Sequence, residues 1–182
     1  GLLTPGQYEG QQWLLPKDYS PLGIYYNTKI FDEFGVDYPQ DGWSWDEFLG
    51  YAATLTDRER TPLPVYVYTT TPGHLDSMVF VATLGGSLFD NMQNPTYPTL
   101  NHPQTIKDFE FYSDFFHEYE VAPTPDEARQ NFNSSQYALY QGIQAGNVGM
   151  WILPISERGG ASWPVAWSSN WGLAAIPQGT SS

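Results

Sequence analysis

A chain of 182 residues can bury roughly 70% of its unfolded-state surface in one domain, and 41% hydrophobic with 15% charged residues marks a folded globular protein. Twenty acidic residues against seven basic ones give a net charge of −13, which repels phosphate backbones and anionic headgroups. Nucleic-acid binding and direct membrane insertion are therefore not expected, and no run reaches the ~18 apolar residues that cross a bilayer. The absence of cysteine excludes disulfides and thiolate metal sites.

In chain order, residues 11–16 and 22–26 read as short strands around a turn carrying Lys17 to Pro21. Asn27 can cap a brief helix through Phe31 and Phe34, which Gly35 ends. Ser44 and Glu47 form a capping box, each satisfying an orphan amide of the helix it opens. That helix has an apolar face of Trp45, Phe48, Leu49, Ala52 and Leu55. Residues 65–68 alternate like a strand after Pro62 and Pro64. Residues 74–84 read as a buried helix ending at Gly85-Gly86.

Asn101 to Gln104 marks another helix start, and Ile106, Phe109, Tyr112, Phe116 and Tyr119 follow helical spacing to about residue 119. Thr124 and Glu127 form a second capping box with Pro125 at the first helical position. A helix near 135–145 stops at Gly146, residues 148–152 read as a strand, and 171–176 as the last strand before Pro177. Strands alternating with helices, with no repeat and no linker, predict one α/β domain with a layered sheet. Gly1 to Gly6 lacks the basic start and apolar run of a signal peptide, so a targeting segment is expected outside the chain. The end at Gly179 to Ser182, directly after an apolar strand, reads as cut.

Chemistry is sparse. There is no G-x-S-x-G elbow, no P-loop and no HExxH, so no enzyme and no cofactor is expected. His74, His102 and His117 lie far apart in sequence, which gives no metal site; the last two read as helix-end or surface residues. Asn133-Ser134-Ser135 is sequon-like but reads as a helix cap. Asp18, Asp76 and Glu157 lie near aromatics, and a pair of such acids could hydrolyse a glycoside. They serve equally well as acceptors for sugar hydroxyls. Aromatic residues make up 16% of the chain, with 7 Trp and 13 Tyr, a composition favoured at recognition surfaces. Two alternatives to small-molecule binding stay open: a carbohydrate-active hydrolase fragment, and a structural or partner-binding domain whose aromatics form a flat patch.

Several motifs, taken in order, resemble a known family. Tyr8 to Pro16 followed by Leu22-Gly23-Ile24-Tyr25-Tyr26-Asn27, then Lys29-Ile30-Phe31 through Gly35, resemble the family 1 extracellular solute-binding proteins, relatives of maltodextrin-binding protein. Trp45-Asp46-Glu47-Phe48 with Leu55-Thr56, the Gly85-Gly86 turn, Gly142 to Met150, and Trp171-Gly172-Leu173 to Pro177 continue the pattern. Each piece is degenerate, and the ordered set makes the match specific. The resemblance implies one lobe of a type II periplasmic-binding-protein-like fold, a mixed sheet flanked by helices. Residues 1–182 would form that lobe, residues 8–27 would cross the hinge and enter the cleft, and the other lobe lies outside the chain. It further implies capture of a sugar or oligosaccharide and delivery to the transmembrane subunits of an ABC permease, in the periplasm or as a cell-surface lipoprotein.

On the matching positions, the segment after Pro16 enters the cleft and nominates Asp18, Tyr19 and Ser20. Relatives place a sugar-bonding acid about where Ser20 falls, so Asp18 can substitute. The loop ahead of the Gly85-Gly86 helix nominates His74 and Asp76. The loop after Met150 carries a stacking Trp in relatives near Ser156, and Trp151, Trp163 and Trp167 are the available replacements. A pyranose lays its C–H face on an indole while its hydroxyls need polar partners at the rim. Trp163 and Trp167 lie in a stretch without periodicity, whereas strand alternation could bury Trp151. Trp13 and Trp45 are assigned to structure, on a strand and a helix face.

Overall fold

The computed structural model describes residues 6–17, 19–68, 76–133, 138–161, 166–167 and 170–178. The chain opens with a small antiparallel ribbon, β1 (Gln7–Tyr8) and β2 (Gln11–Gln12), joined by a two-residue turn in which Glu9 and Gly10 both have positive φ. Strand β2 stops well short of the expected residue 16. Instead the Trp13 and Leu14 amides both donate to the Gly6 carbonyl, at 2.9 and 3.2 Å. Trp13 is therefore not a packed strand residue, as the sequence implied; it is 66% exposed, its Nε1 donating to the Tyr8 carbonyl.

The main sheet has four strands in the order β4-β5-β3-β6: β3 (Leu22–Asn27), β4 (Tyr66–Tyr68), β5 (Val148–Pro154) and β6 (Trp171–Ala174). Strand β3 runs antiparallel to both neighbours, with Leu22 opposite Pro154 and Ile24 opposite Ala174. Strands β4 and β5 are parallel, Tyr66 opposite Val148. Parallel neighbours need a long crossover, and helices supply it. The helices are α1 (Thr28–Phe34), α2 (Trp45–Leu55), α3 (Asp76–Leu84), α4 (Pro103–His117), α5 (Pro125–Phe132) and α6 (Ala138–Ala145).

Helix starts follow local chemistry. Asn27 Oδ1 accepts the Lys29 amide and Gly35 closes α1 in the left-handed region; Ser44/Glu47 and Thr124/Glu127 both form complete capping boxes. Helix α4 is capped by the His102 ring, which accepts the Gln104 amide, and not by Asn101. It also ends two residues before the expected 119, at His117. Asn133 caps the C-terminal end of α5.

Residues alternate across the sheet, so its two faces build separate cores. On one face Ile24, Val67, Met150 and Ile152 pack under α1 to α4, around Trp45, Phe48, Phe80 and Phe115. Phe48 and Phe115 stack at 5.5 Å, and the Trp45 indole N–H donates to Thr83 Oγ1. On the other face Tyr25, Trp151 and Leu153 gather Ile143, Trp167 and Trp171.

A buried polar latch fixes the turn after α3. The Asp108 carboxylate accepts the Gly86 amide at 2.9 Å and Gln104 Nε2 at 2.8 Å, while Thr105 Oγ1 donates to the Ser87 carbonyl. A Cβ on Gly86 would collide with Asp108 Oδ2, so the glycine is required by close approach.

The excursion that follows is held by Asp90, whose carboxylate accepts the Thr96 hydroxyl and the amides of Thr96 and Tyr97. The Thr96 hydroxyl above all lowers the Asp90 pKa from 3.8 to about 2. Because the folded value lies below the ordinary one, this contribution to stability is complete above about pH 4 and is lost as the pH falls through 2. A carboxyl-carbon titration by NMR should give Asp90 a midpoint near 2, and Thr96→Ala should raise it toward 3.8 while the backbone amides of Thr96 and Tyr97 keep it below. An unchanged midpoint in that variant would refute the assignment.

Candidate functional site

In open α/β sheets, ligands bind beyond the carboxyl ends of the strands. Here β4, β5 and β6 all point their carboxyl ends the same way, since β4 parallels β5 and both β5 and β6 oppose β3. At that end the chain enters β3 through residues 19–21 and leaves β5 through a kinked 3-10 segment (Ile155–Gly160).

These two segments are tied together. The Ser156 amide donates to Ser20 Oγ at 2.9 Å, and the Ile155 amide to the Pro21 carbonyl at 2.9 Å. The Tyr25 hydroxyl donates to the carbonyls of Pro154 and Ile155, at 3.2 and 3.3 Å. Tyr19, one residue before the clip, is 69% exposed, the Ser156 side of the rim is exposed, and Ser20 is half-buried.

Beneath the rim lies an aromatic platform. Tyr25 stacks on Trp151 at 6.1 Å and meets Trp167 edge-on at 5.0 Å; Trp151 and Trp167 cross at 5.1 Å, and Trp171 closes the group at 5.6 Å from Tyr25. Aromatic edges and faces in such geometry contribute about 0.5–1.5 kcal/mol per pair beyond burial. Trp151 is fully buried and Trp167 is 7% exposed, so both rings face the platform and not solvent. Gly160 lies against Trp167, whose Cδ1 would be 2.9 Å from an added Cβ. Burial raises the Tyr25 pKa, with Arg158 opposing and Glu157 reinforcing the shift.

The structure thus brings Tyr19, Ser20 and Ser156 to one rim and puts Trp151 and Trp167 under it. Asp18, His74 and Trp163 lie outside the described residues, and Asp76 is described only as the first residue of α3. Sequence reasoning missed Tyr25 as the hub that joins platform to rim. The signal was there in its position one residue out of phase with Ile24, on the opposite face of the same strand. Among the described residues no three His, Asp or Glu side chains gather as a metal site, and no helix is long and apolar enough to cross a membrane.

An arabinooligosaccharide-binding protein from Halalkalibacterium halodurans is 26% identical over 153 residues, covering 83% of this chain and 32% of the relative. An ABC substrate-binding protein from Listeria monocytogenes in complex with cycloalternan superposes with a TM-score of 0.77 at 21% identity, over 100% of this chain and 43% of that one. UgpB from Mycobacterium tuberculosis in complex with glycerophosphocholine gives a TM-score of 0.72 at 20% identity, over 98% and 42%. The chain thus spans about a third of the curated relative's length and about two-fifths of these solved chains. These likenesses show a periplasmic-binding-protein fold with a mixed sheet flanked by helices. The match to the family described as bacterial extracellular solute-binding protein runs over residues 1–182, and the chain belongs to that family.

Proposed function

We propose that this chain is one lobe of a two-lobed binding protein that captures a sugar or oligosaccharide and hands it to the transmembrane subunits of an ABC importer. The observation that carries the reading is the rim at the carboxyl ends of β4, β5 and β6, where an exposed aromatic, Tyr19, stands beside hydroxyl and backbone polar groups. That is the pairing a pyranose requires, an apolar face to lie on and donors and acceptors at the edge. The arabinooligosaccharide-binding relative supports the sugar class. Asp18, Tyr19, His74, Asp76, Ser156 and Trp163 are the proposed ligand contacts. Ser20, Trp151 and Trp167 are proposed to hold them in place.

Capture involves no reaction, and the protein works outside the cytoplasm, free in a periplasm or lipid-anchored at the cell surface. The test is a panel of arabino-, malto- and cyclic oligosaccharides offered to the complete two-lobed protein. A cognate sugar at a hundredfold excess over its dissociation constant should add about 2.7 kcal/mol to stability and be recovered intact. Silence across the panel in both melting temperature and Trp fluorescence would sink the sugar reading, and turnover of the sugar would replace binding by catalysis.

A further inference from the structure

A second concavity lies at the opposite end of the sheet from the Ser20–Ser156 rim. Leu22 pairs with Pro154 at the rim, whereas Asn27 ends β3 and Gly146 and Asn147 precede β5 at the other end of the sheet, roughly 20 Å away for a seven-residue strand. Here a cavity of about 390 Å³ opens between the start of α1, the loop before β4 and the turn before β5. That volume falls within the range of small-ligand sites.

Its walls are set before any ligand arrives. Asn147 Nδ2 donates to the carbonyls of Leu63 and Pro64, both at 3.1 Å, which pins the loop before β4 to the turn before β5. Pro62 and Leu63 supply apolar surface, and Ile30 behind them belongs to the core. Two of the chain's seven cations, Lys29 and Arg60, line the cavity but only one of its twenty acids, Glu33, so a site of local positive charge sits on a chain of net charge −13. Arg60 pairs with Glu33 at 3.0 Å, and among the described residues no ion pair engages Lys29.

From this arrangement we propose that the cavity binds a small organic acid, with its apolar body against Pro62 and Leu63 and its carboxylate between Lys29 and Arg60. Positively charged donors make the stronger hydrogen bonds to such a group. Glu33 competes with the ligand for Arg60, which gives the site a signature that general surface attraction lacks.

The probe is benzoate, with neutral benzamide as its isostere, titrated into the isotopically labelled 182-residue chain at constant ionic strength and followed through the Gly146 and Asn147 amides. Saturable shifts are expected with benzoate, at least tenfold weaker with benzamide and at least tenfold weaker in Lys29→Gln. Glu33→Gln should tighten benzoate several-fold. The Lys29 variant leaves the Arg60–Glu33 pair intact, so unchanged melting certifies its fold. Absence of saturable shifts, equal binding of benzamide, or benzoate affinity unmoved by Lys29→Gln and Glu33→Gln would each overturn the assignment.

Discussion

Trp45→Ala is expected to remove about 3–5 kcal/mol of stability, the range for emptying a large aromatic from a core. A domain of this size holds only about 5–15 kcal/mol in all, so the variant should sit near the edge of folding at 25 °C. The cause is position. Trp45 is fully buried at the first turn of α2, with Phe80 at 4.6 Å, Phe48 at 5.4 Å and Phe111 at 6.0 Å between ring centroids. It therefore couples α2 to both α3 and α4. Trp45→Phe keeps most of that contact. The lost bond leaves no orphan, since Thr83 Oγ1 also donates to the Val79 carbonyl, and the cost should be about 1–2 kcal/mol. Urea midpoints with unchanged slopes measure both. A Trp45→Ala loss below about 1 kcal/mol would mean that this face is not the principal core.

Trp151→Ala should cost a similar ~3–5 kcal/mol, but with a second consequence at the rim. Its ring lies under Tyr25, and Tyr25 holds the carbonyls of Pro154 and Ile155. Losing the platform should loosen residues 155–160 and weaken the cognate sugar at least tenfold, or about 1.4 kcal/mol, in the complete protein. Trp151→Phe separates packing from polarity. The buried Trp151 Nε1 meets no acceptor among the described residues, and an unmet donor costs about 1–3 kcal/mol, which phenylalanine no longer incurs. That relief offsets much of the smaller ring's lost packing, so the Phe variant should lie far closer to wild type than the Ala variant in both stability and affinity. Undiminished sugar affinity in Trp151→Ala would show that the rim does not depend on the cluster below it.

The parts of the fold legible in the sequence are those governed by neighbours in the chain. Ser44 with Glu47, Thr124 with Glu127, and Gly35 announce helix ends because a cap is satisfied within three or four residues. The family motifs, being ordered along the chain, carried the fold class as well. What could not be read was set by partners distant in sequence. Trp13 opens an apolar run, Trp13 to Leu15, that looks like a strand, yet no partner extends β2 that far, so the indole stays exposed. Trp167 lacks periodicity, which resembled a rim residue. Its burial depends on Tyr25 and Trp151 sharing a face, and that follows only from the β3–β5 register. Tyr19, Ser20 and Ser156 were nominated separately through the resemblance, and their common rim emerges only from that same pairing.

Strand β3 is central in space but early in sequence, and both strands that flank it come from residues 148–174. During synthesis its two hydrogen-bonding edges therefore stay unmet while helices α1 to α6 are already out of the ribosome. Pairings of such high contact order slow folding toward the millisecond-to-second regime. An open, apolar strand is also a template for association with other chains. A holdase that keeps the nascent chain apart until Ala174 has emerged would shorten that exposure, and chains stopped just before Val148 should accumulate as aggregate, not as a smaller folded lobe.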